Sequence, residues 1–487
     1  MRLKELLEGV DLTKICADTE MEISSISYDT REIENGALFV ALTGHKQDGH
    51  NFINEALKSG AAAVLCQTPP PTPGPWIVTK DSRVALAQVS ANWFGHPGDR
   101  MTLLAVTGTN GKTTTTTLLR GVLEEVFNTK VGLIGTNRNM VGSKEFPAHR
   151  TTPESYELQA LLYQMAEAGC THVVMEVSSH ALIQHRTDTL RFALGIFTNL
   201  TPDHLDYHGT MEEYRRAKSL LFEQSEQAVL NLDDPAGVWY KTHVPCPVFT
   251  YSERHPEADL TAENTRLLSD RVEFIAVARN RLERICLPIP GGFTIYNGLA
   301  VLAACLCLGL DLKPVSRALA HAKGVKGRVE IVPTPAPYTV IIDYAHTPDA
   351  LENILSTVRS ITPKRVICVV GCGGDRDRSK RALMGEIAGE LADLTYLTSD
   401  NPRTEDPLSI LLEMLPGMER SGGSWHLIPD RQAAIRAALT EAKEGDLVLL
   451  AGKGHETYQE VQGIFLHLDE REEIAAFFQN NKRYGII

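Results

Sequence analysis

A phosphate-binding loop is the clearest chemical signal in the sequence. The residues Thr107-Gly108-Thr109-Asn110-Gly111-Lys112-Thr113-Thr114 follow an apolar run and precede a stretch that favours a helix to about Val126. In such loops glycines let backbone N–H groups approach phosphate oxygens, a lysine neutralises the terminal phosphates, and the next hydroxyl ligates magnesium. Val106 stands where the usual spacing has its first glycine, and a chance Gly-Lys-Thr turn is the alternative. We therefore predict an ATP or GTP site formed by Gly108, Thr109, Asn110, Gly111, Lys112, Thr113 and Thr114.

Two further polar residues lie at the ends of neighbouring predicted strands. Glu176 comes directly after Val173 to Met175, and His204 lies soon after Leu194 to Phe197. Ligands of open parallel sheets bind beyond the carboxyl ends of the strands, so both side chains should approach the phosphates. A carboxylate and an imidazole beside Thr113 predict a magnesium shell, although each residue alone could equally be a capping or core residue.

Two basic residues are less informative when they are considered singly. Lys218 lies in a segment with a helical pattern, and its spacing alone indicates an ordinary solvated charge. Arg403 closes Asp400-Asn401-Pro402-Arg403, which contains a turn-forming Asn-Pro, and its planar guanidinium suits a carboxylate. The positions with positive charge near the predicted motifs are Lys112, Arg186, Arg376, Arg403 and Lys453.

Three blocks of the chain must position these residues, and we place them at 1–99, 100–330 and 331–487. Short strands and one helix over 52–59 are predicted in the first block. The second and third blocks repeat one pattern, an apolar strand that ends in polar residues, with helical patterns between the strands. This alternation is typical of α/β sheets, and two such sheets facing each other would form a cleft that can close.

Composition excludes several classes of protein. The 487 residues suggest about three domains, and a net charge of −13 disfavours nucleic acid as a partner. Charged residues interrupt the N-terminal ten residues, unlike a signal peptide. The longest apolar segment, Gly298 to Leu310, is too short to span a membrane, so we predict a buried helix and no membrane insertion. Nine scattered cysteines without paired spacing indicate reduced thiols and a cytoplasmic protein.

Taken together, the motifs resemble those of the Mur ligases, and the resemblance extends over essentially the whole chain. The segments that carry it are Gly108 to Thr113, Glu176 to His180, Thr198 to His208, Tyr214 to Lys218, Asp343 to Pro348, Gly373 to Asp377 and Asp400 to Arg403. The ordered set is far more specific than any one member.

The resemblance implies an α/β fold of three domains. They are a small N-terminal domain for the UDP substrate (1–99), a central P-loop domain with a mostly parallel sheet (100–330), and a C-terminal Rossmann-like domain for the amino acid (331–487). It further implies a cytoplasmic enzyme, expected to be a monomer, that serves peptidoglycan synthesis and thereby cell-wall biogenesis, cell shape and cell division.

The activity that the resemblance implies is ATP-dependent amide-bond formation with magnesium. ATP would convert the D-glutamate carboxylate of UDP-N-acetylmuramoyl-L-alanyl-D-glutamate into an acyl phosphate, which the amine of meso-diaminopimelate then attacks. Magnesium and Lys112 would offset the repulsion between the two anions.

The roles of individual residues follow from the same resemblance. Lys112, Glu176, His204 and Lys218 would be catalytic, with Lys218 carbamylated so that, together with Thr113, Glu176 and His204, it holds metal. Asn297 and Arg328 would hold the nucleotide. The UDP substrate would be bound by Tyr28, Thr30, His45, Lys46, Gln47, Thr151, Thr152, Ser178, Gln184 and Arg186. Diaminopimelate would be bound by Arg376, Asp400, Asn401, Pro402, Arg403, Gly452 and Glu456. Arg150 stands where some relatives have Asn.

Three different functions compete with this interpretation. A lysine-adding relative is disfavoured because lysine lacks the second carboxylate that Arg403 would pair with. A folylpolyglutamate-type ligase is disfavoured by the block before the phosphate loop, which suits a bulky nucleotide-sugar substrate. A P-loop switch protein would hydrolyse ATP without any amino acid.

Overall fold

The N-terminal block forms a five-stranded sheet with the strand order β1-β5-β4-β3-β2. The computed structural model describes residues 1–44, 47–71, 73–268, 270–279, 281–362 and 364–483. All pairs in this sheet are parallel except β1 with β5. Its elements are α1 (Leu3–Leu6), β1 (Leu12–Ile15), β2 (Ser25–Ser27), β3 (Ala37–Val40), α2 (Ile53–Lys58), β4 (Ala63–Cys66), β5 (Trp76–Thr79) and α3 (Ser82–Phe94), with short 3-10 turns at Thr30–Glu32, Gly49–Phe52 and Pro97–Arg100.

The central block contains the largest sheet, with eleven strands in the order β16-β15-β14-β13-β12-β11-β6-β10-β7-β8-β9. Its elements are β6 (Thr102–Thr107), α4 (Lys112–Phe127), β7 (Lys130–Ile134), β8 (Asn139–Val141), β9 (Lys144–Phe146), α5 (Ser155–Glu167), β10 (Cys170–Glu176), α6 (Ser179–Ile183), β11 (Phe192–Phe197), α7 (Leu205–His208), α8 (Met211–Glu223), β12 (Ser225–Asn231), α9 (Pro235–His243), β13 (Val248–Ser252), β14 (Leu260–Leu267), β15 (Val272–Ala278), β16 (Arg281–Leu287), α10 (Phe293–Cys307) and α11 (Leu312–Ala320). The strands around β6 are parallel, whereas β14, β15 and β16 form an antiparallel extension.

Helices cover both faces of the central sheet. Leu104 and Val106 of β6 pack in one cluster with residues of α4 and α10, and Leu103 and Ala105 face the opposite cluster with residues of α5. Because successive side chains of a strand point to opposite faces, a strand covered on both sides is apolar throughout. The carboxyl end of β6, where the phosphate loop begins, is therefore held on a rigid support.

The C-terminal block contains a six-stranded sheet in the order β17-β18-β22-β19-β20-β21 and a separate hairpin of β23 and β24. Only β17 is antiparallel to its neighbour in the larger sheet. Its elements are β17 (Glu330–Val332), β18 (Thr339–Asp343), α12 (Pro348–Ile361), β19 (Val366–Val370), α13 (Ser379–Leu391), β20 (Leu394–Leu397), α14 (Pro407–Ser421), β21 (Trp425–Leu427), α15 (Arg431–Glu441), β22 (Leu447–Ala451), β23 (Tyr458–Val461), β24 (Ile464–His467) and α16 (Glu470–Arg483).

The α/β fold with a mostly parallel central sheet is confirmed. The predicted buried helix at Gly298 to Leu310 belongs to α10, which begins earlier, at Phe293, and ends at Cys307. One expectation needs a correction. The strands that lead to Glu176 and His204 are consecutive in the chain, but β6 lies between them in the sheet, so the two residues flank the phosphate loop from opposite sides. Within the described residues, no helix combines the length and apolar character needed to cross a bilayer.

Candidate functional site

The phosphate loop connects β6 to the first turn of α4, so backbone N–H groups of a helix N-terminus face the loop. Gly108 has a φ of +147°, and a Cβ there would lie only 1.9 Å from the Thr198 hydroxyl oxygen. The backbone N–H of Asn110 donates to the Asn199 side-chain oxygen over 2.8 Å, and the Thr198 hydroxyl donates to the Asn110 carbonyl over 2.6 Å. The segment after β11 therefore fixes the shape of the loop.

Lys112 and Lys218 converge on the phosphate loop. The ammonium of Lys112 donates to the carbonyls of Gly108 and Thr109, over 2.9 and 2.8 Å. Lys218 is 1% exposed, and its ammonium donates to the same Gly108 carbonyl over 3.0 Å. Burial lowers the pKa of both lysines, and the Lys112 charge further lowers the pKa of Lys218. The expectation from spacing alone, a solvated Lys218, is wrong, because α8 packs this face against the loop.

The Glu176 carboxylate is held at the carboxyl end of β10. Thr136 donates to it twice, from its backbone N–H and from its hydroxyl, each over 2.9 Å. The Thr136 hydroxyl also lies 3.0 Å from that of Thr151, which links Glu176 to the loop before α5. On the other side of the phosphate loop, the Arg328 guanidinium donates to the Thr113 hydroxyl over 3.3 Å.

His204 belongs to a group of partly buried aromatic residues. Its ring lies 4.8 Å from that of His180, and its Nε2 is 3.3 Å from the Asp203 carboxylate. Burial lowers the pKa of both histidines to about 4, so both rings are neutral at pH 7. His346 in the C-terminal block, also with a pKa lowered to about 4 by burial, is close enough to influence both Asp203 and His204.

The described side chains do not form a complete metal site by themselves, and a divalent cation would also need ligands from phosphate or water. No group of three His, Cys, Asp or Glu side chains in the described ranges is arranged to hold a metal ion. Magnesium prefers oxygen ligands and is usually held by one or two protein groups together with phosphate oxygens and water. The Thr113 hydroxyl and the Glu176 carboxylate fit that requirement, whereas an unmodified Lys218 ammonium does not.

A cleft of about 620 Å³ extends from the phosphate loop between the central and C-terminal sheets. Asn297 and Arg328 line it, as predicted nucleotide-holding residues would. The Asn110 side chain donates across the cleft to the Asp349 carboxylate of α12 over 2.7 Å. The C-terminal block thus contributes directly to the surface around the phosphate loop.

Of the N-terminal residues predicted to bind the UDP substrate, Tyr28 connects the N-terminal block to the central block. The Tyr28 hydroxyl donates to Glu157 of α5 over 2.7 Å. Burial raises the pKa of Tyr28, and the Glu157 carboxylate raises it further. Thr30 begins a 3-10 turn, and Gln47 is exposed beside Gly44. His45 and Lys46 lie outside the described residues.

Arg186, one of the residues predicted to bind the UDP substrate, pairs with Glu154, which is 5% exposed. Arg186 and Arg150 each lie 3.1 Å from its carboxylate, and Arg83 of α3 lies 3.6 Å away. Arg186 also donates to the Thr152 carbonyl over 2.9 Å and to Gln184 over 2.6 Å. Ser178, which lies 3.5 Å from the Thr152 hydroxyl, caps α6.

The predicted diaminopimelate residues are on loops that follow β19, β20 and β22. Arg403 pairs through Nε with Glu460 of β23 over 3.2 Å and donates to the Gly374 carbonyl over 2.8 Å. Asp400 packs against Gly452, where a Cβ would lie 2.4 Å from its carboxylate oxygen. Arg376 is exposed, and Pro402 connects Asn401 to Arg403.

Sequence reasoning did not single out several residues that complete the site. They are Arg83, Thr136, Glu154, Asp203, Asp343 and Asp349. Asp203 and Asp343 were inside quoted motifs, so their positions after strands could have identified them. Arg83, Thr136 and Glu154 carry no motif, and only the folded chain brings them to the site.

The sequence matches known family domains over most of its length. These are the Mur ligase family, catalytic domain at residues 22–93, the Mur ligase middle domain at residues 106–305, and the Mur ligase, glutamate ligase domain at residues 327–454. A protein of Geobacillus kaustophilus (strain HTA426), named UDP-N-acetylmuramoyl-L-alanyl-D-glutamate--2,6-diaminopimelate ligase, is 45% identical over 92% of this chain and 94% of its own. A protein of the same name from Clostridioides difficile (strain 630) is 41% identical over 97% and 98%.

Solved structures are similar over nearly the entire chain. A structure of a UDP-N-acetylmuramoyl-L-alanyl-D-glutamate--2,6-diaminopimelate ligase has a TM-score of 0.69, 31% identity, and coverage of 99% of both chains. The MurF ligase from Thermotoga maritima in complex with ADP has a TM-score of 0.64 at 20% identity, covering 95% of this chain and 98% of that one. At 20% identity, the similarity to the MurF structure shows a shared fold only.

Proposed function

The chain belongs to the Mur ligase family, and from that premise we propose that it adds meso-diaminopimelate to UDP-N-acetylmuramoyl-L-alanyl-D-glutamate with ATP. The products are the UDP-linked tripeptide, ADP and phosphate. The observation that carries the proposal is the identity of 41 to 45% with relatives of that name, over more than nine-tenths of each chain. The protein is therefore a ligase of peptidoglycan synthesis.

The phosphate loop and the residues beside it would perform the first step. ATP in the cleft would present its γ-phosphate to the loop, where Lys112 offsets the charge of the transferring phosphoryl group. The D-glutamate carboxylate attacks this phosphorus, ADP leaves, and an acyl phosphate forms. A neutral His204 ring keeps an unprotonated nitrogen, which is the form of imidazole that can bind a metal ion.

We assign the magnesium ligands to Thr113, Glu176, His204 and a carbamylated Lys218. Bound magnesium would supply positive charge to the phosphate oxygens and so lower the barrier to phosphoryl transfer. The geometry of Lys218 supports the modification: its amine is fully buried, its pKa is lowered, and a second lysine shares its acceptor. The Lys218 ammonium first loses a proton to solvent, and the neutral amine then attacks carbon dioxide. The N–C bond forms and the nitrogen loses a second proton to solvent, which leaves a carboxylate where a cation had been.

The second step would take place where the C-terminal loops face the acyl phosphate. The amine of diaminopimelate attacks the acyl carbon and phosphate leaves. Arg403 would bind the distal carboxylate, and Glu456 an ammonium group. The predicted residues of this pocket are Arg376, Asp400, Asn401, Pro402, Arg403, Gly452 and Glu456, and their proximity on three strand-end loops supports the assignment.

The three blocks would divide the substrates between them. We propose that residues 1–99 bind the UDP group, residues 100–330 bind ATP, and residues 331–487 bind the amino acid. The cluster of Arg83, Arg150 and Arg186 around one carboxylate leaves net positive charge between the first two blocks, which suits an anionic substrate. We also propose that the protein acts in the cytoplasm and as a monomer, as the resemblance to the Mur ligases implies.

The test is a phosphate-release assay with ATP, magnesium, UDP-N-acetylmuramoyl-L-alanyl-D-glutamate and single amino acids. Turnover with meso-diaminopimelate and formation of the UDP-tripeptide are expected, with little turnover when the amino acid is omitted. A preference for lysine would favour the lysine-adding relatives. Turnover with a folate substrate would favour a folylpolyglutamate-type ligase, and ATP hydrolysis without any amino acid would favour a P-loop switch protein.

A further inference from the structure

Lys453 is a fully buried lysine in the C-terminal block, on the loop that follows β22. Its ammonium donates to the Glu456 carboxylate over 2.9 Å and to the Asn401 side-chain oxygen over 3.1 Å. The Asn401 amide nitrogen donates to the same Glu456 oxygen, Oε2, over 2.8 Å. Lysine, amide and carboxylate therefore form a closed ring of three hydrogen bonds between two loops.

The ring restrains Asn401 and one side of Glu456. The Asn401 side-chain oxygen also accepts the backbone N–H of Glu460 over 3.0 Å, so both ends of this amide are engaged. Both protein contacts of the Glu456 carboxylate are made by Oε2, and among the described residues none is made by Oε1. Oε2 is thus engaged by two donors, whereas Oε1 accepts no hydrogen bond from the described residues and can accept one from a cationic group.

The charged and titratable groups around Glu456 come from five elements of the fold. Asp400, on the loop after β20, is the second carboxylate, and Lys453 is the nearest cation. Arg431 of α15 adds a further positive charge, and the phenols of Tyr344 and Tyr458 approach from the loop after β18 and from β23. Burial raises the pKa of Glu456, and Asp400 raises it further, whereas Lys453 and Asn401 lower it.

We propose that Lys453 is a positioning residue for the amino-acid substrate: it orients Glu456 and keeps its carboxylate ionised, so that Oε1 can bind an ammonium group of the diamino acid. Lys453 does not touch the substrate itself. The inference rests on the proposed function, because it takes diaminopimelate as the amine that the pocket receives. It adds a residue, Lys453, whose substitution should change the KM for the amino acid and not the KM for the other two substrates.

The experiment compares Lys453→Met with wild type at pH 7, 8 and 9. At pH 7 the KM for diaminopimelate should rise at least tenfold, while the KM for the UDP-dipeptide changes less than twofold. The ratio of variant to wild-type KM should fall as pH rises, because a Glu456 without its cation needs higher pH to ionise. The protonation state of diaminopimelate also changes with pH, but it affects variant and wild type equally and therefore cancels in the ratio of their KM values.

Two further variants keep the test decisive. Lys453→Gln keeps polar contacts without the charge, and it replaces Lys453→Met if the latter does not fold. Lys364→Met is the control, since Lys364 is on the surface of the same block and, among the described residues, its ammonium bonds only to the Glu444 carbonyl. In a Glu456→Gln background, Lys453→Gln should raise the KM for diaminopimelate less than twofold further, because the two residues act through one contact.

The outcomes separate the two proposals. Wild-type enzyme without diaminopimelate-dependent turnover would overturn the proposed function and this inference together. A wild type that uses diaminopimelate, combined with a variant ratio that stays constant from pH 7 to 9, would overturn the inference alone. Equal increases of KM for the UDP-dipeptide and for diaminopimelate would do the same, since they indicate general damage to the fold.

Discussion

The ammonium groups of Lys112 and Lys218 donate to one acceptor, the Gly108 carbonyl, over 2.9 and 3.0 Å. Lys218 is buried and Lys112 partly buried, and two cations this close repel each other, so removing one charge lowers the electrostatic cost of the other. Lys112 is the proposed partner of the phosphates. Lys218 is therefore the residue whose amine is expected to lose its proton and react.

Lys218→Ala should lose most of the ligase activity, because it removes the group proposed to become a carboxylate. Short carboxylic acids should restore part of the activity by occupying the space of the missing side chain. Initial rates with and without added formate or acetate measure this. Lys241→Ala on the surface of α9 is the control, and a fully active Lys218→Ala enzyme would contradict the proposed modification.

Glu176→Ala and His204→Ala should lower kcat more than they weaken binding of the UDP-dipeptide. Their proposed role is to stabilise charge that develops in the transition state, and such interactions affect kcat. Steady-state kinetics of both variants provide the measurement. Glu167→Ala, an exposed residue at the end of α5, should behave as wild type, and an unchanged kcat removes the corresponding residue from catalysis.

Arg403→Ala should weaken the use of diaminopimelate by roughly tenfold to more than a hundredfold. A charge-assisted bidentate contact typically contributes ~1.5 to 3 kcal/mol. Lysine has no distal carboxylate, so its kcat/KM should scarcely change. The measurement is kcat/KM for both amino acids, with Arg420→Ala on the surface of α14 as the control. Equal losses for the two amino acids would assign Arg403 to the support of Gly374 and Glu460 instead.

Gly108→Ala should abolish ATP binding. The added methyl would lie 1.9 Å from the Thr198 hydroxyl, and the φ of +147° is unfavourable for alanine. Gly121→Ala is a matched control within α4, because its Cβ would meet no atom within 4 Å. The control should bind ATP normally and be more stable by about 0.5 to 1 kcal/mol, as is usual for this substitution inside a helix. Titration with a fluorescent ATP analogue and thermal unfolding compare the two, and normal binding by Gly108→Ala would show that the loop can move aside.

His455→Gln should reduce the loss of stability on acidification. Burial, with help from Arg328 and Lys326, lowers the pKa of His455 to about 3, below its ordinary value of 6.5. The unfolded chain therefore binds more protons between these two values, and the stability contributed by the neutral ring is lost as pH falls through this window. Between pH 7 and 5 the variant should lose up to about 2 kcal/mol less than wild type. Thermal unfolding at both pH values measures this, with exposed His149→Gln as control; parallel losses would mean that His455 is accessible to protons when folded.

Much of the site could be predicted because its signals are local. The phosphate loop is recognisable from eight consecutive residues, since the turn, the charge and the helix start that bind phosphate all lie in one short segment. The α/β class follows from apolar strands alternating with helical patterns, which record burial on both faces of a parallel sheet. Glu176 and His204 could be associated with the loop because strands in such sheets end on the same edge.

The sequence by itself therefore determined the fold class, the family and the edge of the sheet that carries the chemistry. The tertiary structure alone decided that β6 separates the strands of Glu176 and His204, that Lys218 is buried against Gly108, and that Lys453 joins Asn401 to Glu456. A lysine has the same local pattern whether its helix face meets water or another segment. Its burial, partners and pKa depend on contacts between residues far apart in the chain, which local periodicity does not record.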